Sequence, residues 1–485
     1  MNRPIRRVAL VCLVLFAALL ANDNVLQFAQ AKSLRDHPGN TRTLYAQYDR
    51  KRGDIVASDG TILASSKPSN DALKYLRVYA NGPLYAPITG YYSLIYGASG
   101  IEAAENSILA GTDDRLFVRQ LSNLVTGRTP QGGSVVLTID PLLQQTAYRA
   151  LGNRKGAVVA LDPSTGAILA LVSTPSYDPN LLSAHDIATV RAAWSSLTAN
   201  PNQPMLDRAL DQTYPPGSTF KLITAAAALA SGRYTPQSQI PAPNILPYPN
   251  STKSLTNFAG ESCSSTGTTT LIQALTISCN TAFGDLGEAL GQDALRKQAE
   301  AFGFDTPFAV PMKSAASVFP TDLDAAQTIQ SAIGQFDVRA TPLQMAVVAA
   351  AIANHGVLMR PYLVKQLVAP DLSILETTKP QPVRQAVSAE VAAELTQMME
   401  SVVAKGTGTV VQLPGVTVAG KTGTAQNAVG QPPHAWFVAF APAEHPKIAL
   451  AVLVENGGGI NDATGASVAG PIAKAVLQAA LRESS

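Results

Sequence analysis

The sequence predicts an α+β fold in which helices cover a mixed β-sheet, and three observations point to it. Residues Gly156–Leu171 contain two apolar strands around the turn Asp162–Gly166, a pattern typical of a β-hairpin. A helical stretch that follows, Leu222–Ala230, is apolar on every side, as in a helix buried within a domain. The C-terminal part has three strand-like runs and then an amphipathic helix, Val468–Leu481. Strands, helices and strands again are the order expected for a sheet with helices packed against it.

The N-terminus has the pattern of a membrane anchor. Three arginines among the first seven residues precede an apolar run, Val8–Ala21. Positive charge at this end predicts a cytoplasmic tail and export of the rest of the chain. The run is shorter than the roughly 20 residues of a full span, and Ala29–Ala31 also resembles a signal-peptidase site. We expect residues 1–31 to form a tail and an uncleaved transmembrane anchor, with cleavage before Lys32 as the alternative.

Residues 32–150 contain short strands separated by turn signals. Asp59-Gly60 lies between apolar runs and predicts a hairpin. Gly100–Glu102 follows among the same short segments, and Gly132–Asp140 reads as a strand closed by an acidic turn. The region has no cluster of catalytic side chains. We therefore expect a β-rich supporting domain over 32–150 and a catalytic domain over 151–485.

A tight turn joined to the buried helix carries the first chemical signal. Residues Tyr214–Lys221 read Y-P-P-G-S-T-F-K, and the prolines and glycine predict that helical structure begins near Ser218. Ser218 and Lys221 are three residues apart and so share a face of the first turn. Desolvation lowers the pKa of a lysine, and a neutral lysine can accept a proton from a serine. The alternative is that Ser218 only caps the helix and Lys221 is solvated.

Two further motifs favour the catalytic interpretation. Ser278-Cys279-Asn280 is an S-x-N triplet, predicted to lie near the end of a helical stretch, Thr268–Ala282. Lys421–Thr424 reads K-T-G-T and belongs to the first C-terminal strand run, Val416–Thr424. S-x-x-K, S-x-N and K-T-G each occur once, in that order, which is the motif set of the penicillin-recognising serine acyltransferases. The other two C-terminal runs are His434–Ala441 and Lys447–Val454.

Composition argues against several other classes of function. The net charge is +2 and charged residues make up 14% of the chain, so we expect no nucleic-acid partner. The five histidines have no metal-binding spacing, so we expect no metal or other cofactor. Gly415–Thr422 matches a phosphate-binding loop, but its inner residues alternate like a strand and open no helix. We expect no nucleotide partner.

Two of the three cysteines are candidates for a disulfide bond. Cys263 and Cys279 lie in the region that we expect to be exported, where cysteines usually pair. A bridge closing a loop of this size stabilises a fold by roughly 3 kcal/mol. It would also fix the S-x-N turn, of which Cys279 is the middle residue. The alternative is a buried free cysteine at each position.

With these motifs assembled, the chain resembles the class B penicillin-binding proteins over nearly its whole length. The N-terminal region is similar to the family's elongated pedestal domain through Arg52-Gly53, Asp59-Gly60, Gly100–Glu102 and Leu137–Asp140. The remainder is similar to the penicillin-binding transpeptidase domain, which is related to serine β-lactamases. The resemblance implies D,D-transpeptidation of peptidoglycan outside the membrane, with β-lactams as covalent inhibitors.

The resemblance also implies a role for each motif residue. Ser218 attacks the penultimate D-alanine carbonyl of a stem peptide, and Lys221 is the base for acylation. Ser278 relays a proton between the two lysines and the leaving amine, and Asn280 orients the substrate amide. Lys421 acts with Thr422, Gly423 and Thr424 to bind the terminal carboxylate. The backbone N–H groups of Ser218 and Thr424 form the oxyanion hole.

Partners and rival functions follow from the same resemblance. The chain has no room for a glycosyltransferase domain or C-terminal wall-binding modules, so we expect a separate polymerase and other cell-division proteins as partners. Whether division or elongation needs the protein is left open. A D,D-carboxypeptidase or β-lactamase would use the same three motifs, and a scaffold that has lost catalysis is the non-enzymatic alternative.

Overall fold

The computed structural model describes residues 3–30, 48–71, 73–116, 131–426, 430–457 and 464–482. The cleavage point considered before Lys32 lies outside these ranges. The elements up to residue 151 are α1 (Arg3–Asn24), β1 (Ile55–Val56), β2 (Ile62–Pro68), β3 (Tyr75–Tyr79), α2 (Gly82–Thr89), β4 (Tyr92–Ser93), β5 (Gly97–Ala98), α3 (Gly100–Ala104), α4 (Asn106–Leu109), β6 (Ser134–Leu137) and α5 (Pro141–Leu151).

The remaining elements carry the catalytic motifs. They are β7 (Gly156–Leu161), β8 (Ile168–Thr174), α6 (Asn180–Ser183), α7 (Ile187–Ala199), α8 (Lys221–Ala230), β9 (Gln239–Pro241), β10 (Ile245–Pro247), β11 (Ser254–Thr256), β12 (Thr268–Thr270), α9 (Leu271–Thr276), α10 (Asn280–Leu290), α11 (Gln292–Ala301), α12 (Ala325–Ser331), α13 (Pro342–Ala353), β13 (Val357–Met359), β14 (Val364–Val368), β15 (Ile374–Thr377), β16 (Pro382–Gln385), α14 (Ala389–Lys405), β17 (Ala419–Ala425), β18 (His434–Ala441), β19 (Ile448–Val454) and α15 (Gly470–Arg482).

The N-terminal helix α1 is a candidate membrane span. Together with the π-helical turn that follows it, the helical segment Arg3–Gln27 has a mean hydropathy of 2.1 in its most apolar window. Its side chains are exposed to solvent in the structure. Within the described ranges it is the one helix long and apolar enough to cross a membrane. The helical segment is thus longer than the apolar run Val8–Ala21, and its 25 residues exceed the roughly 20 that a span requires.

A six-stranded sheet forms the core of the N-terminal region, in the order β15-β14-β6-β1-β2-β3. The predicted hairpin at Asp59-Gly60 joins β1 to β2, which pair antiparallel. β1 and β6 run parallel, with Ile55 opposite Val135. The hairpin β14–β15 comes from residues 364–377 and pairs with β6. The sheet therefore combines strands that are more than 200 residues apart in the sequence.

The N-terminal region contains more helix than the sequence predicted. Gly100–Glu102, expected among strands, begins helix α3. The helix places Glu102 in the core, where its carboxylate accepts hydrogen bonds from Arg52 and Arg77, each at 2.5 Å. Asp140, expected to close a turn, caps α5 by accepting hydrogen bonds from two backbone N–H groups. Aspartate is preferred both at helix N-caps and in turns, so the sequence alone does not distinguish the two structures at this position.

The second sheet has five strands in the order β17-β18-β19-β7-β8. The hairpin predicted over Gly156–Leu171 is present as β7 and β8. The sheet was expected to be mixed, but each of its four strand pairs is antiparallel, because short connections join β7 to β8 and β17 to β18 and β19. The K-T-G-T strand β17 lies at one edge.

Alternate residues of this sheet face two separate helical layers. Val159 and its neighbours on one face pack with helices α8 and α13, and Val158 and its neighbours on the other face pack with α5 and α15. Every residue of β18 and β19 is buried. Helix α8 is buried from Lys221 to Leu229, as its uniformly apolar sequence predicted. Its N-terminus is thereby held against the K-T-G-T strand.

The S-x-N segment differs from its predicted structure. Thr268–Ala282 was expected to be one helical stretch, but it contains strand β12, helix α9 and the first turn of α10. Ser278 lies between the two helices in a left-handed conformation with φ of 60°. A non-glycine residue in this conformation ends a helix and is uncommon outside turns and functional sites. The break directs Ser278 toward α8 and β17 instead of continuing the helix.

Candidate active site

Ser218 lies in a tight turn that is held from two sides. The 3₁₀ turn Gly217–Phe220 leads directly into α8. Gly217 has φ of 53°, and its N–H donates a hydrogen bond to the carbonyl of Gly334 at 2.9 Å. A Cβ atom at Gly217 would lie 2.7 Å from the carbonyl oxygen of Thr424. Only glycine therefore allows the turn to approach strand β17 this closely.

Lys221 is completely buried at the start of α8 and points to the S-x-N segment. Its Nζ donates hydrogen bonds to the carbonyl of Ser278 and to Oδ1 of Asn280, both at 2.7 Å, and lies 3.3 Å from Oγ of Ser278. A neutral amine has two N–H donors and one lone pair. The two carbonyl oxygens take both donors, so the lone pair of a neutral Lys221 is left for a hydroxyl.

The sequence led us to expect that Ser218 and Lys221 would lie side by side. Both are at the mouth of α8, but no hydrogen bond joins Ser218 Oγ to Lys221 Nζ; among the described residues, Lys221 contacts the S-x-N segment instead. The two oxygen atoms that accept hydrogen bonds from Lys221 belong to Ser278 and Asn280, more than 55 residues further along the chain. The spacing within each motif therefore could not predict these contacts. The hydroxyl that the structure places beside this amine is that of Ser278, 3.3 Å from Nζ of Lys221.

Lys421 reaches the same point from strand β17. Its Nζ donates to Oγ of Ser278 at 2.8 Å and to the carbonyl of Thr422 at 2.9 Å. Burial lowers the pKa of Lys421 to about 7. Burial also lowers the pKa of Lys221 well below its usual value, and the positive charge of Lys421 lowers it further. The site therefore disfavours two charged lysines and holds Ser278 between them.

A disulfide bond anchors the segment that carries Ser278. Cys263 and Cys279 are bonded, the pairing that the sequence favoured, with Cα atoms 5.9 Å apart. Cys279 is 1% exposed and immediately precedes α10. The crosslink ties the S-x-N turn to the loop before β12. It therefore limits how far Ser278 can move from the lysines.

Asn257 is a site residue that the motif search missed. Its Oδ1 accepts hydrogen bonds from the backbone N–H groups of Asn280 at 2.8 Å and Thr281 at 3.1 Å. Cys279, the N-cap of α10, makes no side-chain cap of its own. Asn257 therefore caps the helix from 23 residues upstream and fixes the residue that holds Lys221. An asparagine beside a short strand carries no sequence signal for this role.

The remaining K-T-G-T residues are closely packed. Oγ1 of Thr422 lies 2.6 Å from Oγ1 of Thr407, in the turn after α14. A Cβ atom at Gly423 would lie 2.8 Å from Cγ2 of Thr219, so glycine is needed for the strand to contact the turn that carries Ser218. Oγ1 of Thr424 accepts a hydrogen bond from the N–H of Gly465 at 3.4 Å. Strand β17 and the turn of Ser218 thus form two adjoining walls.

The arrangement has the parts needed for acyl transfer without histidine. Hydrogen bonds join Lys221, Ser278, Asn280 and Lys421, which come from three segments distant in sequence, and Ser218 lies in the turn that leads into the helix of Lys221. Trp436 supports the turn from below by donating its Nε1–H to the carbonyl of Pro215 at 3.0 Å. In the described ranges no group of three or more histidine, cysteine or acidic side chains is arranged to hold a metal ion.

Comparison with protein-family models gives two matches that together cover most of the chain. Residues 156–478 match the penicillin binding protein transpeptidase domain. Residues 52–135 match the penicillin binding protein A dimerisation domain. The first match includes all three catalytic motifs.

Relatives and solved structures agree with these matches. The chain is 50% identical to the peptidoglycan D,D-transpeptidase PbpA of Mycolicibacterium smegmatis and 48% identical to that of Mycobacterium tuberculosis, with 99–100% of each chain covered. Penicillin-binding protein A from M. tuberculosis, solved as a penicillin G acyl-enzyme complex, matches with a TM-score of 0.86 at 49% identity. The match covers 89% of this chain and 100% of that one. An imipenem acyl-enzyme complex of the same protein matches equally well.

Proposed function

The chain belongs to the class B penicillin-binding protein transpeptidases, and we propose that it cross-links peptidoglycan through an acyl-enzyme on Ser218. It is a peptidoglycan D,D-transpeptidase of cell-wall synthesis, as full-length relatives at about half identity indicate. The relative that was solved with penicillin G is itself acylated. β-Lactams are therefore expected to acylate this chain as well.

In the acylation step, neutral Lys221 accepts the proton of Ser218 as its Oγ attacks the carbonyl of the penultimate D-alanine. The backbone N–H groups of Ser218 and Thr424 stabilise the negative charge that develops on the carbonyl oxygen. Ser278 passes a proton from the lysines to the leaving amine, and the terminal D-alanine departs. The amine of a second stem peptide then attacks the ester and regenerates Ser218.

The observation that carries this assignment is the contact of both lysines with Ser278. Nζ of Lys421 and Nζ of Lys221 lie 2.8 Å and 3.3 Å from the same hydroxyl oxygen. Burial lowers the pKa of both lysines, that of Lys421 to about 7, so a neutral amine that can accept a proton is more readily available than in a solvated lysine. Asn280 orients the substrate amide, and Lys421 with Thr422, Gly423 and Thr424 binds the terminal carboxylate.

We extend the proposal to the position of the protein in the cell. Residues 1–31 act as a cytoplasmic tail and single transmembrane anchor, and the catalytic domain, residues 151–485, is extracytoplasmic. Residues 32–150 form the pedestal, to which the hairpin 364–377 contributes two strands. A separate glycosyltransferase supplies the glycan chains, and cell-division proteins recruit the enzyme. In this topology, added protease digests the catalytic domain in cells without an outer permeability barrier and leaves it intact in everted membrane vesicles. The opposite result would contradict the topology.

The experiment that tests the function is a time course of intact mass with benzylpenicillin. The full-length protein in detergent is compared with Ser218→Ala. A long-lived adduct on the wild type alone, together with D-alanine release and product formation from donor and acceptor peptides, is expected. An adduct that disappears while the drug is hydrolysed would indicate a β-lactamase. D-alanine release without peptide transfer would indicate a carboxypeptidase. If no adduct forms at all, the non-catalytic scaffold is the remaining interpretation.

A further inference from the structure

A cavity of about 550 Å³ lies beside the nucleophile's turn. Its wall includes Tyr214 and Pro215, which precede the turn, and Gln426, which follows strand β17. The chain spans at most about 10 Å from Pro215 to Ser218 and about 7 Å from Thr424 to Gln426. The cavity is therefore adjacent to the acylation site, although Ser218 is not part of its wall. Its volume is typical of ligand pockets, which measure about 300–1,000 Å³.

Among the described residues of the cavity wall there is one carboxylate, and it is already neutralised. Oε1 of Glu455 accepts a hydrogen bond from Nε of Arg208 at 2.7 Å and another from the hydroxyl of Tyr214 at 2.6 Å. Arg208 is 1% exposed, so this ion pair is shielded from solvent. Other polar residues of the wall are mostly uncharged amides and hydroxyls, among them Gln203, Gln212, Thr213 and Gln335.

Two further wall residues offer hydrogen-bond donors. Nδ1 of His434 accepts a hydrogen bond from the backbone N–H of Asn456 at 3.2 Å, so the proton of the neutral ring lies on Nε2. Arg339 uses Nη1 for the carbonyls of its own loop, and its Nη2 forms an exposed ion pair with Asp337 at 3.7 Å, which is too long for a hydrogen bond. The side chains of His434 and Arg339 can therefore donate hydrogen bonds to a ligand whose oxygen atoms act as acceptors.

Strand β17 gives the direction in which the substrate runs. It is the edge strand of the five-stranded sheet, and an edge strand can pair with an extended peptide. If the terminal carboxylate lies at Lys421 and Thr422, and the reacting carbonyl lies at Thr424, then the preceding residues of the peptide continue past Ala425. They reach Gln426, where the cavity opens.

We propose that this cavity binds the part of the donor stem peptide that precedes the two D-alanines, through a carboxylate or carboxamide group on that segment. The inference rests on the proposed function, because the roles of Lys421 and Thr424 set the direction of the peptide. Arg339 and Gln335 are then specificity residues for the donor. They contact a part of the substrate that benzylpenicillin does not possess.

The test compares three acylating agents on full-length protein in detergent. They are a pentapeptide that ends in D-Ala-D-Ala, a blocked D-Ala-D-Ala dipeptide, and benzylpenicillin. Gln335→Ala and Arg339→Gln are measured separately, with Arg191→Gln on the exposed face of α7 as the matched control. We expect kcat/KM for the pentapeptide to fall about tenfold in each cavity variant, as for loss of one good hydrogen bond. The dipeptide and benzylpenicillin should change less than twofold.

The outcomes separate this proposal from the proposed function. Equal losses for all three agents, or no loss for the pentapeptide in either variant, would overturn the cavity assignment. Failure of wild-type protein to react with benzylpenicillin would instead overturn Ser218 as the nucleophile. Gln335→Ala removes no protein hydrogen bond of its side chain in the described structure, so it remains informative even if Arg339→Gln destabilises its loop.

Discussion

Replacing Lys421 with methionine should abolish acylation and also remove the rise in stability with pH that this lysine causes. Lys421 is fully buried, and its pKa falls from 10.5 to about 7 on folding. The unfolded chain therefore binds a proton that the folded chain releases between these values, so the stability of the wild type rises with pH from 7 to 10.5. A shift of this size corresponds to about 4 kcal/mol of unfavourable free energy at pH 7.

Methionine removes this cost together with two hydrogen bonds. The bonds to Ser278 and to the carbonyl of Thr422 contribute about 1 kcal/mol each, so the variant should be about 2 kcal/mol more stable at pH 7. At pH 9.5 the charge cost has fallen by about 3 kcal/mol, and the variant should be slightly less stable than the wild type.

The assay is thermal unfolding of both proteins at pH 7 and pH 9.5, beside benzylpenicillin acylation. At about 2 °C per kcal/mol for a domain of this size, the difference in Tm between variant and wild type should change by about 6 °C between the two pH values. Lys297→Met, on the exposed face of α11, should show no such change. If the difference in Tm for Lys421→Met is the same at both pH values, burial does not depress the pKa of this lysine and the reasoning fails.

Three other predictions concern the neighbouring residues. Benzylpenicillin acylation should increase as pH rises through the lowered pKa of Lys221, because only the neutral amine accepts a proton; a rate that falls as pH rises through the acidic range would contradict this. Asn257→Ala removes the acceptor of two backbone N–H groups at α10, about 2 kcal/mol in total, and should slow acylation by up to about 30-fold. Asn257→Asp keeps that acceptor and should retain most of the rate, and equal losses in the two variants would argue against capping. Gly217→Ala should slow acylation at least tenfold, because the new Cβ meets the carbonyl of Thr424 at 2.7 Å. Gly232 also has a positive φ but has open space around it, so Gly232→Ala is the control and should leave the acylation rate unchanged. An equal loss of rate in both variants would show that backbone strain, and not the contact with Thr424, slows acylation.

The parts of the fold that the sequence predicted are those set by local pattern. The β7–β8 hairpin, the buried helix α8 and the three C-terminal strands follow from periodicity and turn residues. The break at Ser278 did not, because the residues around it are compatible with helix and only tertiary contacts select a φ of 60°. The β14–β15 hairpin in the N-terminal sheet was also missed, because strand pairing over such a separation leaves no local signal.

The same distinction applies within the site. The motifs predict which side chains react, but the distances among those side chains come from three segments brought together by α8, α10 and β17. The disulfide, Asn257 and Gly217 each restrain one of these segments, and none of them reacts. Two buried lysines beside one hydroxyl repel each other when both are charged, so the folded site favours states in which at least one of them is neutral. A neutral lysine held in place by these contacts can accept a proton, which is the property that the proposed acyl transfer requires of Lys221.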